Sequence, residues 1–284
     1  METIIGIGRA GCSVAEVFKK YGIYDIYKID EGAPDILNPH SYGLKKQTTH
    51  EDYEKNTPDF SDFFSKINSE TLVIVCGEGK VSGVTLKALQ QLTTRLTSEK
   101  VSVLYIRPDT EELSGDSKLQ ERIVYNVLQQ YARSGMIKSM MLVNNPSLEK
   151  IVGEVPIRVY FEKLNDLMVS TMHMINIFDH SEPEIKSYFR KSDASRICTL
   201  GISNLDHEEE KMFFPLDNKL EMHYYYAINE NTLESDGALI KNIKSKMRNI
   251  NTSEQRGTYG VYSTKYSENY VYLISFSQMI QKSS

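Results

Sequence analysis

The chain has 284 residues, enough for one large domain or two smaller ones, and 40% of them are hydrophobic, which supports a buried core. The net charge of −5 argues against a surface that coats nucleic acid. The three cysteines, far apart and odd in number, exclude a disulfide framework, and the apolar runs are too short to span a bilayer. We therefore expect a cytoplasmic protein without a signal peptide, a membrane span or general nucleic-acid binding.

The first half of the chain alternates between strand and helix patterns. Apolar runs predict strands at residues 3–7, 24–29, 72–75, 101–106 and 138–143. Amphipathic segments predict helices at residues 13–21, 58–67, 82–96 and 118–133. A polar stretch from residue 31 to about 57 is predicted to be irregular. This alternation is typical of a parallel sheet with helices on both faces, so we predict a Rossmann-like nucleotide-binding α/β domain over residues 1–156.

A long helical pattern follows over residues 157–180 and meets no helix breaker before Pro183. A helix in this position often links two domains. Beyond it, the patterns predict one helix at 239–247 and strands at 196–202, 221–228, 258–266 and 270–277. The last two strands are separated by three residues, which predicts a hairpin. We expect residues 181–284 to form a smaller α+β domain with a mixed sheet.

Two glycine-rich turns follow predicted strands. They are Gly6-Ile7-Gly8-Arg9-Ala10-Gly11 and Gly77-Glu78-Gly79-Lys80-Val81-Ser82-Gly83. A strand that passes through glycines into a helix surrounds an anion with backbone N–H groups. The first turn, with Asp30 at the end of the next strand, also matches the fingerprint of dinucleotide-binding enzymes. Such a site does not need a second glycine turn, so the pair indicates a phosphate chain held between two loops.

The two turns resemble those of the tubulin/FtsZ family, in which G-x-G-x-x-G follows the first strand and G-G-G-T-G-[ST]-G follows a later one. Three glycines and Ser82 match the second motif, whereas Glu78, Lys80 and Val81 depart from it. Lys80 can add positive charge for a phosphate. The resemblance implies a site for GTP or GDP, which Mg²⁺ can accompany, formed by Gly6, Gly8, Gly11, Cys12, Ser13, Gly77, Gly79, Lys80, Ser82 and Gly83.

The resemblance extends beyond the turns. The glutamate–glycine pair of the family's fifth loop falls here on Ser114-Gly115, and the strand ending near residue 144 places Asn145 at the nucleotide. The central helix would stack Phe161 on the guanine and offer Asn165 to the base edge, since positions i and i+4 share a helix face. Taken alone, Phe161 fits better as a core side chain and Asn165 as a loop cap, and the resemblance makes the two interpretations equally favoured.

The family's catalytic loop matches Asp179-His180-Ser181-Glu182-Pro183-Glu184. The resemblance implies that Glu184 is the second acidic residue, that Asp179 replaces an asparagine, and that Glu182 compensates for Ser181. These side chains would reach the γ-phosphate of the nucleotide on the next subunit. The same letters also fit an acidic helix N-terminus capped by Ser181.

The resemblance implies a tubulin/FtsZ-like protein that binds guanine nucleotide, stacks on itself head to tail into filaments, and slowly hydrolyses GTP. A second hypothesis keeps the fold in a non-hydrolysing binding or structural protein, because the loops depart from the motifs at Glu78, Lys80, Val81, Ser114 and Ser181. An NAD-dependent oxidoreductase ranks last, since the sequence offers no arrangement of residues for hydride transfer.

Overall fold

The computed structural model describes residues 1–32, 38–113, 115–187, 195–205, 209–252 and 254–282. The chain divides into two compact units. The first comprises Met1–Val169 and Ile280–Ser284, and the second comprises Ser170–Met279. The boundary between the units falls inside a single long helix.

The sheet of the first unit confirms the predicted parallel arrangement. Its strands pair in the order β3-β2-β1-β4-β5-β6, each parallel to its neighbours. Their bounds are β1 Thr3–Ile7, β2 Asp25–Glu31, β3 Ser41–Leu44, β4 Thr71–Cys76, β5 Val101–Arg107 and β6 Ser139–Asn144. The apolar side chains of β4 are buried on both faces, as in parallel sheets that carry helices on both sides.

Helices connect these strands. Their bounds are α1 Gly8–Val17, α2 His50–Lys55, α3 Thr85–Arg95, α4 Gly115–Arg133, α5 Asn145–Val152 and α6 Tyr160–Asp179. The predicted central helix is therefore α6, preceded by a single 3₁₀ turn at Ile157–Val159. Another 3₁₀ turn, Lys80–Val84, lies between the second glycine turn and α3. The predicted helix at 82–96 thus begins later than expected.

Two predictions for this unit are wrong. The predicted helix at 58–67 is absent: residues 61–66 form turns, and Gln91 of α3 holds the chain that enters them, its Oε1 accepting from the Phe60 amide at 2.6 Å and its Nε2 donating to the Pro58 carbonyl at 2.9 Å. The stretch predicted as irregular contains both β3 and α2. Thr49 caps α2 by accepting a hydrogen bond from the Asp52 amide, a signal that the sequence interpretation missed.

The second unit has the mixed sheet expected from the sequence. Its strands pair in the order β8-β12-β10-β11-β7, with β9 on β8, and only the β10–β11 pair is parallel among the described residues. Their bounds are β7 Ile185–Lys186, β8 Ile197–Ser203, β9 Glu210–Met212, β10 Glu221–Asn229, β11 Arg256–Thr264 and β12 Tyr270–Ser277. Helix α7 spans Glu230–Ser235 and α8 spans Leu239–Ile250, which buries Leu239, Ile243 and Met247 in the core.

The predicted hairpin between the last two strands is wrong. Strands β11 and β12 lie on opposite sides of β10, which pairs with both. The connection between them crosses the end of β10, where the Asn229 amide donates to the Asn269 side chain at 2.8 Å and the Asn229 side chain binds the Tyr266 carbonyl. Asn229 therefore fixes the connection where it crosses β10. The length of the connection alone does not predict this crossing.

Candidate functional site

The two glycine-rich turns lie at the same edge of the first unit's sheet. Strands β1 and β4 are parallel neighbours, and each turn occupies the carboxyl end of its strand. In the sheet, β2 and β3 lie on one side of β1, whereas β4, β5 and β6 lie on its other side. Open α/β sheets bind ligands in the crevice formed where the strand order reverses in this way. The turns therefore flank the expected binding crevice.

Two glycines of the first turn serve packing. A Cβ added to Gly11 would overlap the Ile74 carbonyl oxygen, and a Cβ added to Gly6 would lie 2.6 Å from the Cα of Cys12. These glycines let α1 approach β1 and β4 closely. Gly8 instead has a φ of +70°, a left-handed conformation that favours glycine. Its missing Cβ would lie 3.6 Å from Cβ of Val81, so the two turns approach each other here.

The second turn contains both packing glycines and one without a packing role. A Cβ on Gly77 would overlap the Tyr105 hydroxyl, and a Cβ on Gly83 would overlap the His50 carbonyl oxygen. A Cβ on Gly79 would meet no described atom within 4 Å, and the φ of Gly79 is −75°, which any residue adopts. Neither backbone conformation nor packing within the described chain accounts for the glycine at this position.

The hydroxyl of Ser82 faces into the second turn. Ser82 is 2% exposed, and its Oγ donates to the Gly77 carbonyl at 3.2 Å. Lys80 is exposed, as is Glu78. Among the polar side chains of this turn, those of Lys80 and Glu78 are therefore open to a ligand, and that of Ser82 closes the loop.

Both cysteines near the turns are protonated at neutral pH. Burial, reinforced by the charge of Asp30, raises the pKa of the Cys12 thiol to about 12, and burial raises the pKa of Cys76 to the same value. The Cys12 thiol donates to the Gly6 carbonyl at 3.3 Å. These groups therefore lack the thiolate that nucleophilic chemistry requires. Ser13, one position further along α1, is exposed.

Phe161 and Asn165 lie one turn apart on α6. Phe161 is 65% exposed and packs edge-to-face on the neighbouring Tyr160 ring, with 4.9 Å between the ring centroids. Its interpretation as a core side chain is therefore wrong. Asn165 is half-buried in the interior of the helix, so its interpretation as a loop cap is also wrong. The adjacent Asp166 accepts from Lys20 Nζ at 2.9 Å.

Asn145 is the first residue of α5, directly after β6. The preceding Asn144 caps this helix, since its Oδ1 accepts a hydrogen bond from the Ser147 amide at 3.0 Å, and Pro146 sits in the first turn. Asn145 is half-buried at the carboxyl edge of the sheet. Of the Ser114-Gly115 pair, Ser114 lies outside the described residues, and Gly115 begins α4.

The acidic residues that the resemblance identifies as catalytic lie at the end of α6 and on the exposed segment that leads to β7. Asp179 ends α6, and its Oδ1 accepts from the Tyr225 hydroxyl at 2.6 Å. Burial, followed by the charge of Asp179, raises the pKa of Tyr225 well above its ordinary value. The side chain of Glu182 is 96% exposed, and the Glu184 amide donates to the Val261 carbonyl at 2.8 Å. The backbone of Glu184 is thus fixed while its carboxylate faces solvent.

The interpretation of this segment as a capped helix N-terminus is wrong. Ser181 Oγ donates to the Ile177 carbonyl at 2.7 Å and thereby closes the end of α6. The chain then runs through an irregular stretch into β7 instead of starting a new helix. Within the described ranges, no group of three or more His, Cys, Asp or Glu side chains is placed to hold a metal ion.

The sequence matches no protein-family model and no curated protein. Its structure is similar to GDP-form protofilaments of TubZ from Bacillus thuringiensis serovar israelensis, with a TM-score of 0.69 and 15% identity over 98% of this chain and 87% of that one. It is also similar to an empty FtsZ dimer from M. jannaschii, with a TM-score of 0.65 and 13% identity over 97% of this chain and 87% of that one. For the GTPγS-bound CetZ2 protofilament from Haloferax volcanii, the TM-score is 0.64 and the identity is 14% over 97% of this chain and 92% of that one.

The chain has the tubulin/FtsZ fold. This confirms the fold that the two glycine turns and the order of elements predicted, including the long central helix and the smaller domain with a mixed sheet. In the described part of this tubulin/FtsZ-like chain, no helix combines the length and apolar character needed to cross a membrane.

Two residues near these segments were missed by the sequence interpretation. Gln120 of α4 binds the second glycine turn, and Tyr225 of β10 binds Asp179. Both contacts join residues more than 40 positions apart in the chain, and neither residue belongs to a local motif. Only the fold brings them to the segments that the motifs identify.

Proposed function

We propose that the protein binds a guanine nucleotide in the crevice between the two glycine turns and assembles with itself head to tail. The observation that carries this proposal is Gly79. A glycine with an ordinary backbone conformation and open space around it is explained by close approach of a ligand to the backbone. Its position at the carboxyl end of β4, beside the point where the strand order reverses, fits a phosphate group.

The charges around the second turn fit an anionic ligand that is bound together with a cation. Lys80 is exposed next to Gly79 and can pair with a phosphate, whereas the exposed Glu78 repels one. A bound Mg²⁺ would reduce that repulsion by neutralising part of the phosphate charge. We therefore expect the affinity for nucleotide to depend more strongly on Mg²⁺ than it would if the turn carried Lys80 without Glu78.

The self-association in this proposal is supported by the solved structures with the same fold. The TubZ and CetZ2 structures are protofilaments, and the FtsZ structure is a dimer. In a head-to-tail contact, each copy offers a different surface to each neighbour, so assembly continues as a filament. The exposed carboxylates of Asp179, Glu182 and Glu184 would then orient the water that attacks the γ-phosphate held by the next copy.

A second candidate function is a filament or scaffold that binds nucleotide without hydrolysing it. The buried hydroxyl of Ser82 favours this candidate, because the hydroxyl donates into the loop rather than toward the crevice. Ser181 favours it too, since its hydroxyl ends α6 where the family's motif has an acidic side chain.

Purified protein mixed with GTP and Mg²⁺ tests both candidates, with phosphate release and sedimentation measured in the same sample. Nucleotide-dependent pelleting with phosphate release supports the GTPase. Pelleting without release supports the non-hydrolysing filament. Absence of nucleotide binding and of pelleting contradicts the proposed function.

Replacement of Phe161 by alanine is expected to weaken binding of GTP and of guanosine equally, by about 1–3 kcal/mol, the value of a stacked base. Thermal stability should not change, because the ring is 65% exposed. Isothermal titration with both ligands measures the effect. The matched control is Ile157→Ala, which removes a 91% exposed apolar side chain from the preceding turn. Equal affinity of the Phe161→Ala protein and the natural chain would remove Phe161 from the site.

A further inference from the structure

Gln120 makes an unusual set of contacts with the second glycine turn. Its Nε2 lies 3.2 Å from the Gly77 carbonyl oxygen, 3.2 Å from that of Glu78 and 2.8 Å from that of Gly79. The same nitrogen lies 3.3 Å from Ser82 Oγ. A carboxamide nitrogen carries two hydrogens and cannot accept a hydrogen bond, so four oxygen atoms gather around one pair of donors.

The carbonyl directions fix the direction of the loop's amides. In a trans peptide the C=O of one residue and the N–H of the next point in opposite directions. The Glu78 and Gly79 carbonyl oxygens accept from Gln120, and that of Gly79 also accepts from the Ser82 amide at 2.9 Å, so the N–H groups of Gly79 and Lys80 point away from Gln120. The Glu78 amide instead donates to the Cys76 sulfur. This hydrogen bond partly offsets the rise in the Cys76 pKa that burial causes. Two successive N–H groups therefore lie on the opposite side of the loop from Gln120.

Successive N–H groups on one side of a turn form a concavity that binds anions. They adjoin Gly79, the position whose open surroundings point to a ligand. The loop's carbonyl oxygen atoms, which carry partial negative charge, lie toward α4, and its N–H groups, which carry partial positive charge, lie away from it. This separation lowers the repulsion that carbonyl oxygens would exert on a phosphate.

The helix that carries Gln120 is itself fixed at this point. The neighbouring Glu121 is 2% exposed, and its Oε1 accepts from the Tyr105 hydroxyl at 3.0 Å and pairs with Arg107 Nε at 3.3 Å. Gly77 packs directly against Tyr105 and Glu121. The Gln120 carboxamide is thus presented to the loop from a buried, hydrogen-bonded position.

We propose that Gln120 is a positioning residue for phosphate binding, which orients the amides of Gly79 and Lys80 toward the phosphates by holding the loop carbonyls on the other side. This inference rests on the proposed nucleotide site and adds a residue that belongs to neither glycine motif. Gln120 touches the loop and not the ligand, so its effect is on the geometry of the donors.

The test compares Gln120→Met, which keeps the length of the side chain and removes its N–H donors, with Gln120→Glu, which places oxygen where nitrogen stands. The matched control is Gln129→Met on the same helix. Gln129 is also buried, and it exchanges two hydrogen bonds with the backbone of Gln281, its Nε2 donating at 3.1 Å and its Oε1 accepting at 2.6 Å. The measured quantities are the Kd values for GTP and guanosine and the hydrogen-exchange rates of residues 77–83 without nucleotide.

Both Gln120 variants are expected to raise the Kd for GTP about 10- to 100-fold, the effect of misplacing one or two charge-assisted hydrogen bonds, without changing the Kd for guanosine. Exchange at residues 77–83 should become faster in the free protein. The Gln129→Met protein should keep the natural ratio of the two Kd values even if it melts earlier.

Equal losses for GTP and guanosine, or the same ratio in the Gln120 and Gln129 variants, would overturn the positioning role while leaving the nucleotide site in place. If the natural chain binds neither ligand, the proposed function fails and this inference fails with it. If Gln120→Glu does not fold, Gln120→Met alone gives the same comparison.

Discussion

A protein with Gly79→Val is expected to fold as stably as the natural chain and to bind GTP about 100-fold more weakly. A Cβ at this position meets no described atom within 4 Å, and φ −75° with ψ 139° suits a β-branched residue. The free energy of unfolding should therefore stay the same or rise by up to about 1 kcal/mol, because the unfolded chain loses freedom. The valine would fill the space through which a phosphate approaches the loop amides, at a cost of two charge-assisted hydrogen bonds.

Two control substitutions separate ligand approach from packing. Gly237→Val changes a glycine of the second unit that is equally open among the described residues, so neither stability nor GTP affinity should fall. Gly11→Ala should lower the free energy of unfolding by several kcal/mol, since its Cβ would overlap the Ile74 carbonyl oxygen. Urea unfolding and isothermal titration on the three variants give both quantities.

Two results would contradict the expectation for Gly79→Val. If Gly79→Val binds GTP as tightly as Gly237→Val does, no ligand approaches this part of the loop, and the phosphate site is elsewhere. If Gly79→Val unfolds as easily as Gly11→Ala, the position has a packing role, and its glycine no longer supports a nucleotide.

The sequence predicted five of the six strands of the first unit, because strands buried on both faces form nearly continuous apolar runs; the half-buried β3 does not form such a run and was missed. Leu72–Val75 is such a run and ends in a glycine turn. The same reasoning failed for the last two strands. A separation of three residues favours a hairpin only when no third strand competes for the pairing, and β10, with apolar side chains buried along its length, takes the position between them.

The candidate site was predictable only where its residues carry a local signal. Glycines reveal a turn through their spacing, but the sequence does not say which of them serve packing and which leave room for a ligand. Gly11 and Gly79 differ only in what surrounds them in space. Gln120 gives no local signal, because its role depends on hydrogen bonds to residues more than 37 positions away.

A protein with Glu184→Gln is expected to bind GTP and assemble normally while hydrolysing GTP at least about 100-fold more slowly, the usual contribution of a general base. The Glu184 amide donates to the Val261 carbonyl, so the backbone holds the loop whatever the side chain. The amide of glutamine keeps the size of the carboxylate but does not accept a proton from water. Phosphate release and sedimentation measure the two effects, with Glu234→Gln on α7 as an exposed control. Turnover equal to that of the control would remove Glu184 from the reaction.

Mixing two inactive variants tests whether Glu184 acts on the neighbouring copy. Glu184→Gln subunits hold GTP but lack the carboxylate, and Gly79→Val subunits hold little GTP but keep Glu184. In head-to-tail assembly, a Gly79→Val subunit would present its intact Glu184 to the nucleotide of a Glu184→Gln subunit, so turnover should reappear at those contacts. The restored rate should rise with the product of the two concentrations at low protein. If the mixture stays as inactive as its parts while it still sediments, Glu184 does not act across the contact.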